Sequence, residues 1–259
     1  MPFEVPFFGM RYAGNLNTYI DWRVFFFGAY ATHELSLLRD VAAALRKAHV
    51  APLAFYDIGA NIGHHTLFMS PLVDTVIAFE PFAACREKIQ EKIARNHLAN
   101  VQVFPVGLGD EDAELDFYEP TGANTGTGSF IAGEPGTNGH VSKLPVRNAD
   151  SFFEAHGLPA LDLVKIDVEG FEMRVLRGLQ KRLRRDRPVI LMELLPEIRA
   201  GMGTEESFRR QLYEDADILE VGAISISSSY RLRPFRFAAS REIVVFPREK
   251  LPLLKDVIA

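Results

Sequence analysis

The stretch FYDIGANIGHHTLFMS, residues 55–70, joins a short apolar run, a turn with two glycines and a second apolar segment. The glycines follow the spacing D-x-G-x-x-x-G, which differs from the G-x-G-x-x-G of dinucleotide-binding turns. This pattern predicts a buried strand, a tight turn at Gly59 and a short helix that begins near His64. Gly59 would supply unusual backbone angles, and Gly63 would let the helix approach the strand closely.

The sequence around this stretch alternates between apolar strands and amphipathic helices. PLAFYDI, DTVIAFEP, VQVFPVGL, ALDLVKIDVEG and RPVILMEL are strand-like, whereas HELSLLRDVAAALRKAH, AACREKIQEKIARNHL and FEMRVLRGLQKRL have helical periodicity. The alternation predicts βαβ units, a parallel sheet and right-handed crossovers. DILEVGAISIS and REIVVFP are strands without a helix between them, so we expect an antiparallel pair at one edge. AELDFYEP and HVSKLPVR are interpreted as added strands.

Composition sets broad limits on the kind of protein. The chain has 259 residues, of which 47% are hydrophobic and 24% are charged, so it can bury a sizeable core. Its net charge of −5 does not favour nucleic acid as a partner. The single cysteine, the lack of a secretory signal pattern and the lack of a long apolar run lead us to expect a cytoplasmic protein.

Two regions fall outside the regular alternation. Residues 1–48 are predicted to be an aromatic-rich segment and a helix that cover the core, although the aromatic residues would also suit the wall of a substrate pocket. Residues 49–259 are predicted to form the main α/β domain, with a glycine-rich insert at 119–141. We interpret this insert as a mobile lid, because a structureless stretch of that length within a compact domain is usually functional or disordered.

The turn at residues 57–63 indicates the chemistry of a ligand. In open parallel sheets, ligands bind beyond the carboxyl ends of the strands. A dinucleotide site typically has glycine where Asn61 stands, and it tends to lack a carboxylate such as Asp57 so near the phosphates. A ligand with both an ammonium and a carboxylate, such as the methionyl end of S-adenosylmethionine, suits this turn better. Glu80, at the end of the next strand, is suited to a ribose diol, which S-adenosylmethionine and NAD share.

The segment LVKIDVEG carries three charges on one face of a strand. Lys165, Asp167 and Glu169 share one parity, although a central parallel strand is normally apolar on both faces. Burying these groups unpaired would cost several kcal/mol, so we expect a polar cleft with Lys165 neutralised by a neighbouring acid. A purely structural ion-pair network is the alternative.

Together, DIGANIGHHTL, AFEP, LVKIDVEGFEMRVLRG, PVILMEL and EIVVFP resemble the FkbM family of S-adenosylmethionine-dependent methyltransferases, over roughly residues 50–247. The resemblance implies an α/β, Rossmann-like class I methyltransferase fold. Such a fold has a mostly parallel seven-stranded sheet, an antiparallel last strand and helices on both faces. The resemblance also implies transfer of a methyl group from S-adenosylmethionine to a hydroxyl of a sugar, glycan or polyketide-like metabolite, leaving S-adenosylhomocysteine.

The matching motifs imply roles for particular residues. The methionyl part of the cofactor would be lined by Asp57, Gly59, Ala60, Asn61 and Gly63. Glu80 would hold the ribose with Pro81 next to it, and Asp167 would lie near the methyl group. The segment NTGTGSF, residues 124–130, matches a polar family segment more loosely.

Methyl transfer to an alcohol needs a base, and the candidates are Asp167, Glu169, His64, His65 and His140. We favour Asp167 or Glu169 for position, with Asp167 alternatively orienting the ammonium of the cofactor. No metal site is expected, because the chain lacks a cysteine cluster and the two adjacent histidines lack a third ligand at suitable spacing.

Three competing functions stay open at the level of sequence. An NAD-dependent oxidoreductase would explain Glu80 but not Asn61. A nucleic-acid methyltransferase would explain the basic segments RLRRDRP and RLRPFRFAASR but not the negative net charge. A non-catalytic cofactor-binding module would keep the fold without turnover. The favoured substrate is a small molecule or glycan hydroxyl.

Overall fold

A central sheet of eight strands organises the chain in a computed structural model that describes residues 1–48, 52–120, 128–132, 137–194, 203–224 and 229–258. The strands are β1 Pro2–Phe7, β2 Met10–Asn15, β3 Ala54–Ile58, β4 Thr75–Phe79, β5 Val101–Phe104, β6 Gly107–Gly109, β7 Ala113–Pro120, β8 Thr137–Asn148, β9 Leu163–Ile166, β10 Val189–Glu193, β11 Ala216–Ala223, β12 Tyr230–Pro234 and β13 Glu242–Pro247. The helices are α1 Tyr19–Phe27, α2 Thr32–Ala48, α3 His64–Met69, α4 Ala83–Asn96, α5 Ala149–Ala155, α6 Glu172–Gly178, α7 Gln180–Asp186, α8 Glu205–Arg209 and α9 Lys255–Ile258, with a 3₁₀ helix at Arg248–Leu254 before α9.

The order of the central sheet is β12-β11-β13-β10-β9-β3-β4-β5. Neighbouring strands from β10 to β5 are parallel, whereas β13 runs antiparallel to both β10 and β11. The predicted parallel sheet and the antiparallel pair near the end of the chain are therefore confirmed. The prediction of seven strands was one short, because β12 pairs antiparallel with β11 and extends the edge.

Two hydrophobic clusters cover the two faces of this sheet. One contains the buried side chains of α5, α6 and α7, and the other contains those of α2, α3 and the β1–β2 hairpin. The leucines of α2 are buried at the spacing predicted for an amphipathic helix. Helices therefore lie on both faces, as predicted for a Rossmann-like fold.

Two predicted elements are divided in the structure. The predicted strand VQVFPVGL ends at Phe104, because Pro105 has no N–H for a sheet ladder, and the chain resumes as β6 in a separate sheet of order β6-β8-β7. The predicted helix FEMRVLRGLQKRL divides after Gly178 into α6 and α7. Gly178 is a weak helix former, and its lack of a side chain lets α6 touch β6, where a Cβ would lie 1.8 Å from the carbonyl oxygen of Gly109.

The amino-terminal segment is more regular than its sequence predicted, since it forms the antiparallel β1–β2 hairpin and α1. Phe7, Tyr12 and Val24 are buried against the core. Trp22 and residues 25–27 instead remain 38–55% exposed. Residues 121–127 and 133–136 of the glycine-rich insert interpreted as a lid lie outside the described residues. Within the part of the chain that the structure describes, no helix combines the length and apolar character needed to cross a bilayer.

Candidate active site

The turn after β3 touches the loop after β9. Gly59 has φ +83°, and a Cβ added to it would lie 1.8 Å from the carbonyl oxygen of Asp167. The Asp167 N–H donates to the Ile58 carbonyl at 3.0 Å, so the contact between the strands continues past their ends. The Gly59 and Ala60 N–H groups both donate to the Phe79 carbonyl at 3.0 and 3.1 Å. The turn is therefore fixed on both sides, and glycine is required where it meets Asp167.

Gly63 has a different contact from the one predicted. It precedes α3 with φ +78°, and a Cβ there would lie 3.0 Å from Ile89 of α4. The close approach is thus between the turn and α4 rather than between α3 and the strand. Asn61 adopts a positive φ of 50°, a conformation that asparagine tolerates better than most residues.

A first cleft of about 680 Å³ opens beside this turn. It is lined by Gly59, Asn61, Glu80, Pro81, Phe82, Cys85, Leu108, Phe117, Phe130, Asp167, Glu169 and several neighbouring residues. Phe117 packs against Phe82 and Phe130 with ring centroids 5.4 and 5.2 Å apart, so part of the wall is aromatic.

Glu80 is buried in the first cleft and is held by backbone donors. Its Oε2 accepts the Asn61 N–H at 2.8 Å, and its Oε1 accepts the Phe82 N–H at 2.9 Å. Burial raises the pKa of Glu80 to about 7, against the opposing effect of these two hydrogen bonds. Each carboxylate oxygen keeps a second lone pair, so Glu80 can accept two more hydrogen bonds from a diol.

Asp57 lies deeper than the lining of the first cleft. Its Oδ2 accepts the Thr66 hydroxyl at 2.6 Å, and its Oδ1 is buried without a hydrogen-bond partner among the described residues. Buried carboxylate oxygens are normally paired, so this atom fits a ligand that brings a donor. In the register between β3 and β9, Asp57 stands opposite Lys165.

The ion pair expected for the charged strand is present. Lys165 is 3% exposed, and its Nζ lies 2.7 Å from Oδ2 of Asp167. Burial opposes the charge on Lys165, but Asp167, Asp57 and Glu34 outweigh it and raise the pKa of the ammonium. Burial likewise opposes the charge on Asp167, but Lys165 lowers its pKa overall. The prediction that a neighbouring acid neutralises Lys165 is confirmed.

A second cleft of about 560 Å³ lies on the other side of Asp167. It is lined by Tyr30, Glu34, Lys165, Ile166, Asp167, Glu169, Leu191, Met192, Glu193 and Glu242. Asp167 and Glu169 line both clefts. Five carboxyl groups in this lining face one ammonium, so the second cleft is strongly acidic. Burial and, after it, the nearby acids raise the pKa of Glu193 to about 9.

The three candidate histidines lie in different places: His64 in the core, His65 next to a residue of the second cleft, and His140 on the surface. His64 is 2% exposed among aromatic rings, and its Nε2 lies 2.9 Å from the Tyr30 carbonyl oxygen. Burial lowers the pKa of His64 well below its ordinary value, and the residue lines neither of the two clefts. His140 is exposed on β8. His65 Nε2 lies 3.3 Å from Oε2 of Glu34, one of the carboxylates of the second cleft.

Several residues of the two clefts escaped sequence reasoning. Phe82 and Phe117 line the first cleft, and Glu34, Glu193 and Glu242 line the second. Tyr30, from the aromatic segment that would also suit a pocket wall, does line the second cleft. Phe82 follows the recognised Glu80 by two positions and had a usable local signal. The others come from distant segments that only the topology brings together. Ser129 connects one of these segments to the site, because its hydroxyl donates to the Glu169 carbonyl at 2.7 Å.

Comparison with protein families matches residues 57–223 to the methyltransferase FkbM domain. The chain belongs to this family, and the resemblance drawn from its motifs is confirmed. S-adenosylmethionine is the cofactor, as predicted, and the residues fit it: the unpaired Asp57 oxygen suits a donor, and Glu80 suits a ribose. A crystal structure of an FkbM methyltransferase from Methylobacillus flagellatus has the same fold, with a TM-score of 0.50 and 13% identity, over 80% of this chain and 48% of that chain.

Two curated relatives resemble parts of the chain. Methyltransferase 1 of Beauveria bassiana is 34% identical over 145 residues, which are 48% of this chain and 57% of that protein. The hexuronic acid methyltransferase AglP of Haloferax volcanii is 29% identical over 170 residues, which are 65% of this chain and 65% of that protein. The chain thus spans less than two thirds of the length of either relative.

Proposed function

We propose that this member of the FkbM family transfers a methyl group from S-adenosylmethionine to a hydroxyl of a sugar, glycan or polyketide-like metabolite. The observation that carries the proposal is the meeting of two clefts at Asp167 and Glu169. One cleft has a buried carboxylate, Glu80, that suits the hydroxyls of a ribose, and the other is polar and acidic. A methyl donor and an acceptor bound in these clefts would face each other at their shared residues.

The first cleft is assigned to the cofactor. Glu80 would accept the two ribose hydroxyls, with Pro81 beside the ring, and the turn from Gly59 through Ala60 and Asn61 to Gly63 would line the methionyl part. Charge also supports this assignment, because Asp57 and Asp167 offer carboxylates for the ammonium of the cofactor. Bound S-adenosylmethionine supplies a methyl group activated by its sulfonium.

The chain itself must align the acceptor and take its proton. Glu169 is the base that we favour, because it lines both clefts where they meet. The carboxylate of Asp167 pairs with Lys165 at 2.7 Å. Asp167 would act by orienting the cofactor and by keeping Lys165 neutralised. His64 is not part of the proposed machinery, since it is enclosed by aromatic rings. Alignment of the acceptor within about 3–3.5 Å would supply a large part of the rate enhancement.

The second cleft supports a small hydroxylated acceptor over nucleic acid. Its lining offers five carboxyl groups and a single ammonium, whereas proteins bind a phosphate backbone with several lysine and arginine side chains. The Haloferax relative is named as a hexuronic acid methyltransferase, which supports a sugar hydroxyl as the acceptor class. Asn61, at a position where dinucleotide sites typically have glycine, argues against a nicotinamide cofactor.

Calorimetric titration of the purified chain with S-adenosylhomocysteine tests the proposal, with NADH as a parallel control. We expect micromolar binding of the first compound and no binding of the second. Methyl transfer from labelled S-adenosylmethionine to a panel of sugars and polyols then identifies the acceptor. Binding of NADH alone would replace the proposal with an oxidoreductase, and cofactor binding without transfer to any hydroxyl compound would favour a binding module.

A further inference from the structure

We infer that His33, Glu34, His65 and Glu242 form a binding site for a divalent transition-metal ion beside the second cleft. The inference deepens the proposed function, because the ion would lie next to the acceptor. It does not depend on turnover, since binding of the ion is measured directly. From the sequence we expected no metal site, because we considered the adjacent histidines at the start of α3 and not His33 and Glu34 at the start of α2.

The first support is geometric. One ligand atom each from His33, Glu34 and Glu242 lie within 4.8 Å of one another. His33 and Glu242 are 209 residues apart in sequence, yet Nε2 of His33 and Oε2 of Glu242 are 2.6 Å apart. Metal–ligand bonds of about 2.0–2.2 Å place neighbouring donors about 3–4 Å apart, so the three atoms would share one ion if it replaced the hydrogen bond between His33 and Glu242.

The second support is an unsatisfied imidazole nitrogen next to one member of the cluster, Glu34. His65 is 7% exposed, and its Nε2 has no hydrogen-bond partner in the described structure. This nitrogen lies 3.3 Å from Oε2 of Glu34 without the geometry of a hydrogen bond. Buried polar atoms of native proteins are nearly always paired. An ion bound by Glu34 would give this nitrogen its missing partner.

The charge around the cluster also favours a cation. The second cleft contains Glu34, Asp167, Glu169, Glu193 and Glu242, and Lys165 is the ammonium among its lining residues. Nζ of Lys165 is held 2.7 Å from Asp167, so that pair is already balanced. Glu193 and Glu242 stand directly opposite each other on β10 and β13, so the cleft has two neighbouring carboxyl groups at this position.

The donor set indicates the kind of ion and of acceptor. Two imidazoles and two carboxylates suit first-row ions such as Mn²⁺, Fe²⁺ or Zn²⁺ better than Mg²⁺ or Ca²⁺, which prefer oxygen ligands alone. An ion at the edge of the acceptor cleft would bind an acceptor that offers two neighbouring oxygen donors, such as a vicinal diol or a hydroxyl next to a carboxylate. It would lower the pKa of a coordinated hydroxyl and so help its deprotonation.

Titration of the metal-stripped full chain with Mn²⁺, followed by the electron paramagnetic resonance signal of the free ion, tests the inference. We expect one saturable site per chain, with Kd raised at least tenfold in Glu34→Gln and in Glu242→Gln. Asp116→Asn is the matched control, because Asp116 is an exposed acid that pairs with Lys143 on the β6-β8-β7 sheet. Its Kd for Mn²⁺ should equal that of the unaltered chain.

Titration of the same samples with S-adenosylhomocysteine separates this inference from the proposed function. Variants that retain cofactor binding have kept their fold, so a loss of Mn²⁺ affinity in them is local and supports the site. The inference is overturned if Mn²⁺ shows no saturable binding, or if both substitutions leave its Kd unchanged while cofactor binding persists. Mn²⁺ binding without cofactor binding would instead overturn the proposed function and leave the metal site in place.

Discussion

The two clefts share Asp167 and Glu169 but are built in opposite ways. The first takes much of its lining from short motifs at the ends of β3 and β4, and it combines backbone donors with aromatic walls. The second draws between one and three side chains from each of α2, β9, β10 and β13, and it is acidic. The cleft assigned to the cofactor is therefore encoded locally, whereas the cleft assigned to the acceptor depends on the tertiary fold.

The largest expected effect is a loss of stability in Gly59→Ala, which would push a methyl group into the contact between the turn at Gly59 and Asp167. The added Cβ would lie 1.8 Å from the Asp167 carbonyl oxygen, and φ would remain at +83°. Left-handed strain of about 1–2 kcal/mol and overpacking of about 1–3 kcal/mol should together lower the free energy of unfolding by about 2–5 kcal/mol. Urea denaturation measures this change.

Gly157→Ala is the matched control for that substitution. Gly157 also has positive φ, +59°, but nothing lies within 4 Å of an added Cβ. We expect this variant to lose only the backbone contribution, about 1–2 kcal/mol, and to keep cofactor affinity. Equal losses of unfolding free energy in Gly59→Ala and Gly157→Ala would mean that the close contact with Asp167 does not limit the side chain at position 59.

Asp167→Asn is expected to have the next largest effect, a loss of turnover, and it alters one of the two residues common to both clefts. The amide keeps the shape of the side chain but removes the charge that balances Lys165. Turnover should fall at least about a hundredfold, the scale on which positioned catalytic groups act. Single-turnover methyl transfer measures it, and Asp116→Asn serves as the exposed control of the same chemistry. Near-normal turnover would remove Asp167 from the site.

Both the stability of the protein and its cofactor affinity should depend on pH through Glu80 of the first cleft. The folded pKa of Glu80, about 7, is raised above its ordinary 4.5, so protons bind to the folded cleft more tightly than to the unfolded chain. The stability contributed by this group is therefore full below pH 4.5 and is lost as the pH rises through 7. Cofactor binding has the opposite trend, because the ribose needs the carboxylate to accept its hydroxyls.

Affinity for S-adenosylhomocysteine should accordingly fall about tenfold between pH 8 and pH 6, as the fraction of charged Glu80 falls. Calorimetry at several pH values measures this slope. Glu80→Gln should bind more weakly at pH 8 and should lose the slope. A slope that persists in Glu80→Gln would assign the titration to another group.

The smallest expected effect comes from Ser129→Ala, which removes a support of Glu169 rather than a lining residue. The Ser129 hydroxyl donates to the Glu169 carbonyl at 2.7 Å and accepts the Ile131 N–H at 3.0 Å. Its loss should cost about 1–2 kcal/mol of stability and lower turnover severalfold, with cofactor affinity nearly unchanged. Ser142→Ala is the control, since the hydroxyl of Ser142, on β8, donates a hydrogen bond to the carboxylate of Glu119, on β7, rather than to Glu169. Equal turnover in the two variants would show that Ser129 does not position the base.

The sequence predicted most of the main sheet because strands and helices leave local periodic patterns. The β1–β2 hairpin lacked such a pattern, and β12, with the sequence YRLRP, is too polar and short to be recognised. Their placement comes from pairing with other strands, which a single sequence does not reveal.

The same distinction applies to the site. Glu80, the turn at Gly59 and the Lys165–Asp167 pair each leave a signal within a few residues, and the structure has the predicted unusual backbone angles at Gly59 and the predicted ion pair. Glu242 begins an ordinary strand and has no local mark of function. Its position beside His33 follows from the order of strands in the sheet, with β13 lying next to β10.

The position of β13 has a consequence for the order in which the molecule matures during synthesis. β13 follows β10 and β11 in the chain but lies between them, so it must insert into a gap that these strands leave open. The first cleft has all of its lining residues once Phe171 has left the ribosome, whereas the second waits for Glu242. We therefore expect the nascent chain to acquire its acidic cleft last, in the same step that closes the sheet.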